Sequence, residues 1–348
     1  KLNFNISGGI QFGRKEGDNA TKGYTVTDNY TNFYPTAGLV YNFSRTQKLI
    51  FRYDGRTNQP AISQLQPVVD SSNILYITSG NPDLKQNFTN HFQLMYNKIA
   101  NGGGRSLFVF LDATLINNDI VNSITHLDNG GQFTMPVNMD GDYSLHGSLD
   151  FNVPLSLPKS NFDFKTDVQS RRSASLVDSS ANLTYNTNLS ESIHWSTVMD
   201  KLFDIDFAFT PAYNITSYSV DDDNNSNYYS QSTSFDGTWY TGSGWELTSG
   251  FNYTFYKGDA PGQNISIPLW SAAIVKRIFK DKSGEISLAV HDILNENKGV
   301  SFVRNENYSQ QTTSNILKRY ALLSFTYNLH KFGVKRNSRE LKSWKKKY

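Results

Sequence analysis

The chain has 348 residues, enough for two or three ordinary domains or for one large β-barrel. Its hydrophobic (38%) and charged (18%) fractions both fall below those of a typical globular domain, and uncharged polar residues and aromatics (14%) fill the difference, which excludes an intrinsically disordered chain. A net charge of +2 excludes a dedicated nucleic-acid binder, and the absence of Cys excludes a disulfide scaffold, a thiolate metal site and a Cys nucleophile.

In chain order, the apolar and β-prone runs predict fourteen strands, over 1–13, 33–44, 47–57, 88–99, 104–118, 132–155, 160–173, 180–197, 202–217, 226–241, 244–257, 266–279, 284–294 and 315–331. Alternation is clearest where Phe203, Ile205, Phe207 and Phe209 interleave with Asp204, Asp206, Ala208 and Thr210. It recurs where Phe162, Phe164 and Val168 interleave with Asp163, Lys165, Asp167 and Gln169. Such period-two patterning is that of strands with one apolar and one polar face. No run approaches the roughly 18 apolar residues that a membrane-crossing helix requires. The connections alternate: short links at 44–47, 100–104, 157–160, 199–201, 241–244 and 280–284, and long ones at 14–32, 57–87, 118–131, 221–226, 257–265 and 295–314, with 174–179 the exception, a short link on the long side. Short turns at one end and long loops at the other are what a transmembrane antiparallel barrel shows, with tight periplasmic turns and long extracellular loops. The fold class read from these features is all-β, an antiparallel barrel over 1–332 in the bacterial outer membrane. A basic periplasmic tail follows at 333–348. Over 331–348 eight Lys and Arg face the single acid Glu340, so the tail is not expected to form a lipid-facing strand. The chain opens directly on a strand without Met, as expected of a processed chain or a fragment.

The chemistry-bearing residues form few constellations. His91, His126, His146, His194, His291 and His330 have no metal-ligand spacing and read as solitary pore or interface residues. Asp221, Asp222 and Asp223 are weak Ca²⁺ candidates that read better as a solvated loop tip, because the spacing and distal Glu of an EF-hand loop are missing. No nucleophile–base set and no phosphate-binding glycine loop is found, so no enzyme activity, metal or cofactor is expected. Tyr24, Tyr30, Tyr228, Tyr229 and Tyr308 are the ligand-contact candidates, expected on extracellular loops.

Two segments carry a resemblance. The first runs from Leu49 through Arg56, Pro60 and Pro67 to Gly80-Asn81-Pro82-Asp83-Leu84-Lys85, and the second is Val290-His291-Asp292-Ile293-Leu294-Asn295. The first resembles the strand–loop–"GNPxLKPE" segment of TonB-dependent outer-membrane receptors, with Gln86-Asn87 in place of the commoner Pro-Glu. The second resembles their "VxD[IL][FL]N" strand end, and Arg319–Phe332 their closing strand. The Bacteroidota-type outer membrane β-barrel branch is the most similar. The motif residues are Arg56, Pro60, Pro67, Gly80, Asn81, Pro82, Leu84, Lys85, Asp292 and Asn295. The resemblance implies a barrel of about 22 strands closed by a plug, of which this chain would be the C-terminal portion. It also implies import of a scarce or bulky ligand, energised by a TonB-type protein acting through a plug outside this chain. Outer-membrane lipid, a surface lipoprotein and other outer-membrane subunits are the further partners expected, and nucleic acid is not. The alternatives are a structural barrel subunit of a surface or secretion assembly and a self-contained fourteen-stranded passive pore.

Overall fold

The structure is a computed structural model that describes residues 1–327 apart from 20–22, 101–103, 157–158, 200–201, 221–224, 259–263, 280–282 and 305–308. The tail at 333–348 lies outside the described residues.

Fourteen strands form one continuous antiparallel wall. In spatial order they are β1 (Leu2–Asn19), β2 (Tyr24–Asn42), β3 (Gln47–Asn58), β5 (Asn87–Ile99), β6 (Ser106–Asn117), β9 (Asp142–Ser156), β10 (Lys159–Val177), β11 (Ser180–Met199), β12 (Phe203–Tyr218), β13 (Ser226–Tyr240), β14 (Trp245–Gly258), β15 (Ile265–Ile278), β16 (Gly284–His291) and β19 (Tyr320–Tyr327). They correspond one for one to the fourteen predicted strands. The short turns at the lower rim keep consecutive strands adjacent. At the upper rim, Asp178 and Ser179 join β10 to β11 with φ of 48° and 67°, the paired positive values that a two-residue type I′ hairpin requires. Among the described residues, the outer edges of β1 and β19 pair with no further strand.

Three boundaries differ from the predicted ones. The ladder of the first hairpin does not stop near Gly13 but continues through Asn19↔Tyr24. Above the membrane its side chains become polar, as in the Arg14–Glu16 ion pair at 2.9 Å, so the apolar signal fades while backbone pairing persists. The run 132–155 is two strands, β8 (Gln132–Met139) and β9, separated at Asp140-Gly141. There Asp140 Oδ1 accepts the Asn118 N–H at 2.6 Å, and Gly141 has φ 128°. The expected loop 118–131 contains β7 (Asp119–His126), which pairs with β8.

β7 and β8 join α1 (Ile62–Leu65) and β4 (Tyr76–Thr78) in an insert on the long-loop rim. β4 runs parallel to β8, and β7 runs parallel to the top of β10 at Leu176↔Ser123. Most of the dry core among the described residues lies here: Leu65, Leu84 and Val121 are buried, and Pro60 is enclosed. The wall itself has scarcely any. Its apolar face instead exposes Phe4 (73%), Ile6 (80%) and Phe12 (78%) on β1 and Leu323 (72%) on β19, with Leu111, Leu149 and Leu189 exposed on the strands between, an apolar surface of an extent that water-soluble monomers rarely carry. Trp195 and Tyr185 mark two aromatic levels on this face of β11. Ten residues apart, they span roughly 33 Å of strand, or about 25 Å of height at the usual tilt, the height of an outer-membrane apolar band. No helix among the described residues is long and apolar enough to cross a membrane.

Candidate functional site: an acid–histidine belt on the inner face

Because side chains alternate along each strand, Asp54, His91, Asp112, His146, Asp163, Asp167, His194 and Asp206 all fall on the polar face. The register brings them together. Asp54 lies opposite His91 across β3–β5, and Asp112 opposite His146 across β6–β9. His91 Nδ1 meets Asp54 Oδ1 at 2.9 Å, and its Nε2 meets Asp112 Oδ2 at 2.7 Å. His146 Nε2 lies 2.7 Å from Asp167 Oδ2. His194 bridges Asp206 (2.7 Å) and Asp163 (3.4 Å). Amide side chains hold the carboxylates in place: Gln93 donates to Asp112 (3.1 Å), Gln169 to Asp167 (3.2 Å) and Asn161 to Asp163 (2.7 Å), and Asn152 also donates to Asp163. The result is a half-buried belt across seven adjacent strands, β3 to β12, that is richer in carboxylate than in imidazole. Beyond it the same face carries hydroxyls: Ser192, Thr210, Ser230, Ser232 and Ser234, with Ser192 and Thr210 3.1 Å apart. Such a wall can hydrate a channel and offer acceptors to a cationic or hydroxyl-rich solute.

The solitary reading of His91, His146 and His194 is therefore corrected. Each pairs with an Asp remote in sequence, and only strand adjacency reveals the partner.

Among the described residues, the tyrosine candidates Tyr24, Tyr30, Tyr228 and Tyr229 stand on strands rather than at loop tips. Tyr24 opens β2. The Tyr30 ring covers Gly13, with Lys15 Nζ 5.7 Å from its centroid. Tyr228 and Tyr229 take opposite faces of β13. Tyr228 packs on Tyr256 at 5.1 Å on the polar face, and Tyr229 on Phe255 at 6.0 Å on the apolar face. Tyr308, Asp221, Asp222 and Asp223 lie outside the described residues.

The motif residues knit the insert. The Pro60 carbonyl accepts Lys15 Nζ at 3.2 Å. Pro67 follows the end of α1, where a proline cannot continue a helix. Asn81 donates its N–H to the Gln64 carbonyl (2.6 Å) and Nδ2 to the Pro136 carbonyl (3.0 Å), and its Oδ1 accepts the Asp83 N–H (2.9 Å), fixing the turn around Pro82. Lys85 exchanges backbone bonds with the Asn138 side chain at 2.7 and 2.8 Å. Arg56 stands opposite Thr89 on the polar face, just below the insert. Asp292, at φ 51°, accepts the N–H groups of Glu296 (3.0 Å) and Asn297 (3.2 Å). Its own carbonyl accepts the N–H of Asn295, which is at φ 60°. These residues shape loops.

One clasp ties the insert to the wall. The His126 N–H donates to Asp178 Oδ1 at 2.8 Å, and His126 Nδ1 lies 2.9 Å from Oδ2. The backbone bond first, and then the ring contact, hold the Asp178 carboxyl below the usual carboxylate range. A carboxyl depressed in the folded state stabilises it above the unfolded value and ceases to do so as pH falls through the folded one. Acidification from neutral pH to below the ordinary carboxylate value of about 3.9 should therefore loosen the 119–139 hairpin and speed its cleavage by protease, and Asp178→Asn should speed it at neutral pH. Unchanged protection at the acid end would contradict the clasp.

A comparison with curated proteins finds no match. A family model does match, over residues 12–327, and its description is outer membrane protein beta-barrel family.

Proposed function

We propose that this chain, which belongs to the outer membrane protein beta-barrel family and so lies in the bacterial outer membrane as a strand-crossing wall, is the larger part of an energy-coupled import receptor. The observation that carries the reading is the pair of open edges. In hydrocarbon every backbone N–H and C=O needs a partner, so the edges at β1 and β19 must close, on each other or on further strands, and the import reading takes the second course. A wider barrel of about 22 strands needs a plug to keep its lumen closed, and a TonB-type protein would act on that plug. The segment resembling the receptor motif supports the same reading, since it builds the interlocked insert at the rim where ligand would arrive. Below that rim the acid–histidine belt and the hydroxyl sector line the descent, and Tyr30 and Tyr228, both on the polar face, are the tyrosines placed to meet a ligand.

Single-channel conductance in planar bilayers tests this reading against the self-contained pore. Residues 1–348 reconstituted alone in KCl should give no uniform, long-lived conductance step. A reproducible unit step would show that β1 and β19 pair with each other, and would replace the import reading with a fourteen-stranded passive pore.

A further inference from the structure

One row on the apolar face breaks its chemistry. Thr166 on β10 and Glu191 on β11 are cross-strand partners, and Thr166 Oγ1 donates to Glu191 Oε2 at 2.8 Å. On β12 the row continues with Pro211, which lies opposite Gln231 on β13. Proline has no N–H to give the ladder, and the β11–β12 register passes from Ser190↔Ala212 to Ile193↔Phe209 without pairing Glu191. Gln231 accepts the Tyr229 hydroxyl at 2.9 Å and donates to Thr233 Oγ1 at 3.0 Å. The neighbouring rows are Val168, Leu189 and Tyr213 above, and Phe164, Ile193 and Phe209 below.

Glu191 stands between the aromatic levels of Trp195 and Tyr185, well inside the apolar band. It is exposed, so in a bilayer a carboxylate with one hydroxyl donor would face hydrocarbon, which needs a compensating charge or donor. A second feature adjoins it. Gly147 leaves a gap in the apolar face, a depression of about 380 Å³ walled by Phe51, Leu94, Leu111, Leu145 and Val168. Lipid headgroups lie at the aromatic levels, too far to reach Glu191. A second copy of the chain offers no remedy among the described residues. The cations on this face, Arg14, Lys98, Arg172, Lys257 and Lys276, stand toward strand ends, and three are engaged: Arg14 pairs with Glu16, Arg172 lies over Tyr143, and Lys276 donates to the Ser243 carbonyl at 2.8 Å.

We propose that this patch is an interface in the membrane plane for a different integral outer-membrane protein, which seats an apolar side chain over Gly147 and presents a Lys or Arg to Glu191. The inference rests on the membrane placement of the wall and not on the import reading. An apolar anchor in a pocket beside a desolvated charge pair is the arrangement that concentrates binding energy in protein interfaces.

The test is photo-crosslinking in the native outer membrane, with the full-length protein carrying a benzophenone amino acid at Thr187, four residues from Glu191 on the same face of β11. A control carries it at Ile274 on β15, on the apolar face but four strands away from Glu191. The Thr187 probe should give one discrete adduct with a second protein, and the Ile274 probe only lipid adducts. Glu191→Leu and Glu191→Lys should each reduce the adduct at least about tenfold, while heat-modifiable migration in gels reports an intact barrel. Once the crosslinked peptide identifies the partner, reversing its Lys or Arg to Glu should restore the adduct with Glu191→Lys. Lipid adducts alone at both positions, an adduct between two copies of this chain, an adduct indifferent to Glu191→Leu, or failure of the charge reversal to restore it would each overturn the proposal.

Discussion

Phe209→Arg should destabilise the wall by about 2–4 kcal/mol, whereas Thr210→Arg, one residue on, should cost less than about 1 kcal/mol. The two positions share a strand and differ in face. Phe209 lies opposite Ile193 on the apolar face, midway along β12, where a guanidinium would enter hydrocarbon. Thr210 faces the polar side, 3.1 Å from Ser192, where a guanidinium reaches water and neighbouring hydroxyls. Urea unfolding from lipid vesicles measures both. Equal costs would mean that the two faces meet the same medium, and the assignment of inside and outside would fail.

Gly80→Ala should be the most damaging small substitution in the insert. A Cβ at Gly80 would lie 2.2 Å from the Gln66 carbonyl oxygen and 2.8 Å from that of Gln64. Neither is a flexible side-chain end, so the backbone must move. The Gln64 carbonyl is also the acceptor for Asn81, so relieving the clash disturbs the bond that fixes the turn. A cost of about 1–3 kcal/mol is expected, the range for overpacking a well-filled site. Because β4 and β8 hold the insert separately from the wall ladder, the loss should be local. Protease should cut within 60–86 while the barrel stays heat-modifiable. Gly242→Ala, whose Cβ would meet nothing within 4 Å, is the control and should leave cleavage unchanged.

The wall was legible in the sequence because its determinants are local. Two media, lipid and water, impose opposite chemistry on successive residues, and Phe203 to Thr210 records that directly. The alternation loses contrast where both faces meet water, which is why the ladder from Arg14 to Asn32 and the short strands β4 and β7 were not legible as strands, and why β8 read as one run with β9. The belt was illegible for another reason. Asp54 and His91 are separated by the whole insert segment that contains α1 and β4. Asp112 stands opposite His146 only because the β7–β8 hairpin steps out of the wall and lets β6 pair with β9. Partner identity there is a property of strand order, which alternation does not encode. A sequence signal did exist for the membrane-plane patch, since Glu191 occupies a position of the same parity as Leu189, Ile193 and Trp195. A charge at an apolar-parity position is visible without coordinates. The motif residues were legible by pattern, but their work, closing Asn81 onto Gln64 and Pro136, required the fold.

The measurement that bears most directly on the membrane-wall account is a nitroxide scan along β12. The chain contains no Cys, so single cysteines can be introduced one at a time from 203 to 210 and spin-labelled in lipid vesicles without background. Labels at Phe203, Ile205, Phe207 and Phe209 should relax strongly with oxygen, which concentrates in lipid. Those at Asp204, Asp206, Ala208 and Thr210 should relax with a water-soluble nickel chelate, alternating residue by residue. Apolar-parity labels shielded from both reagents would place those side chains in a closed protein core, and nickel access at both parities would place the strand in water. Either result would contradict an outer-membrane wall.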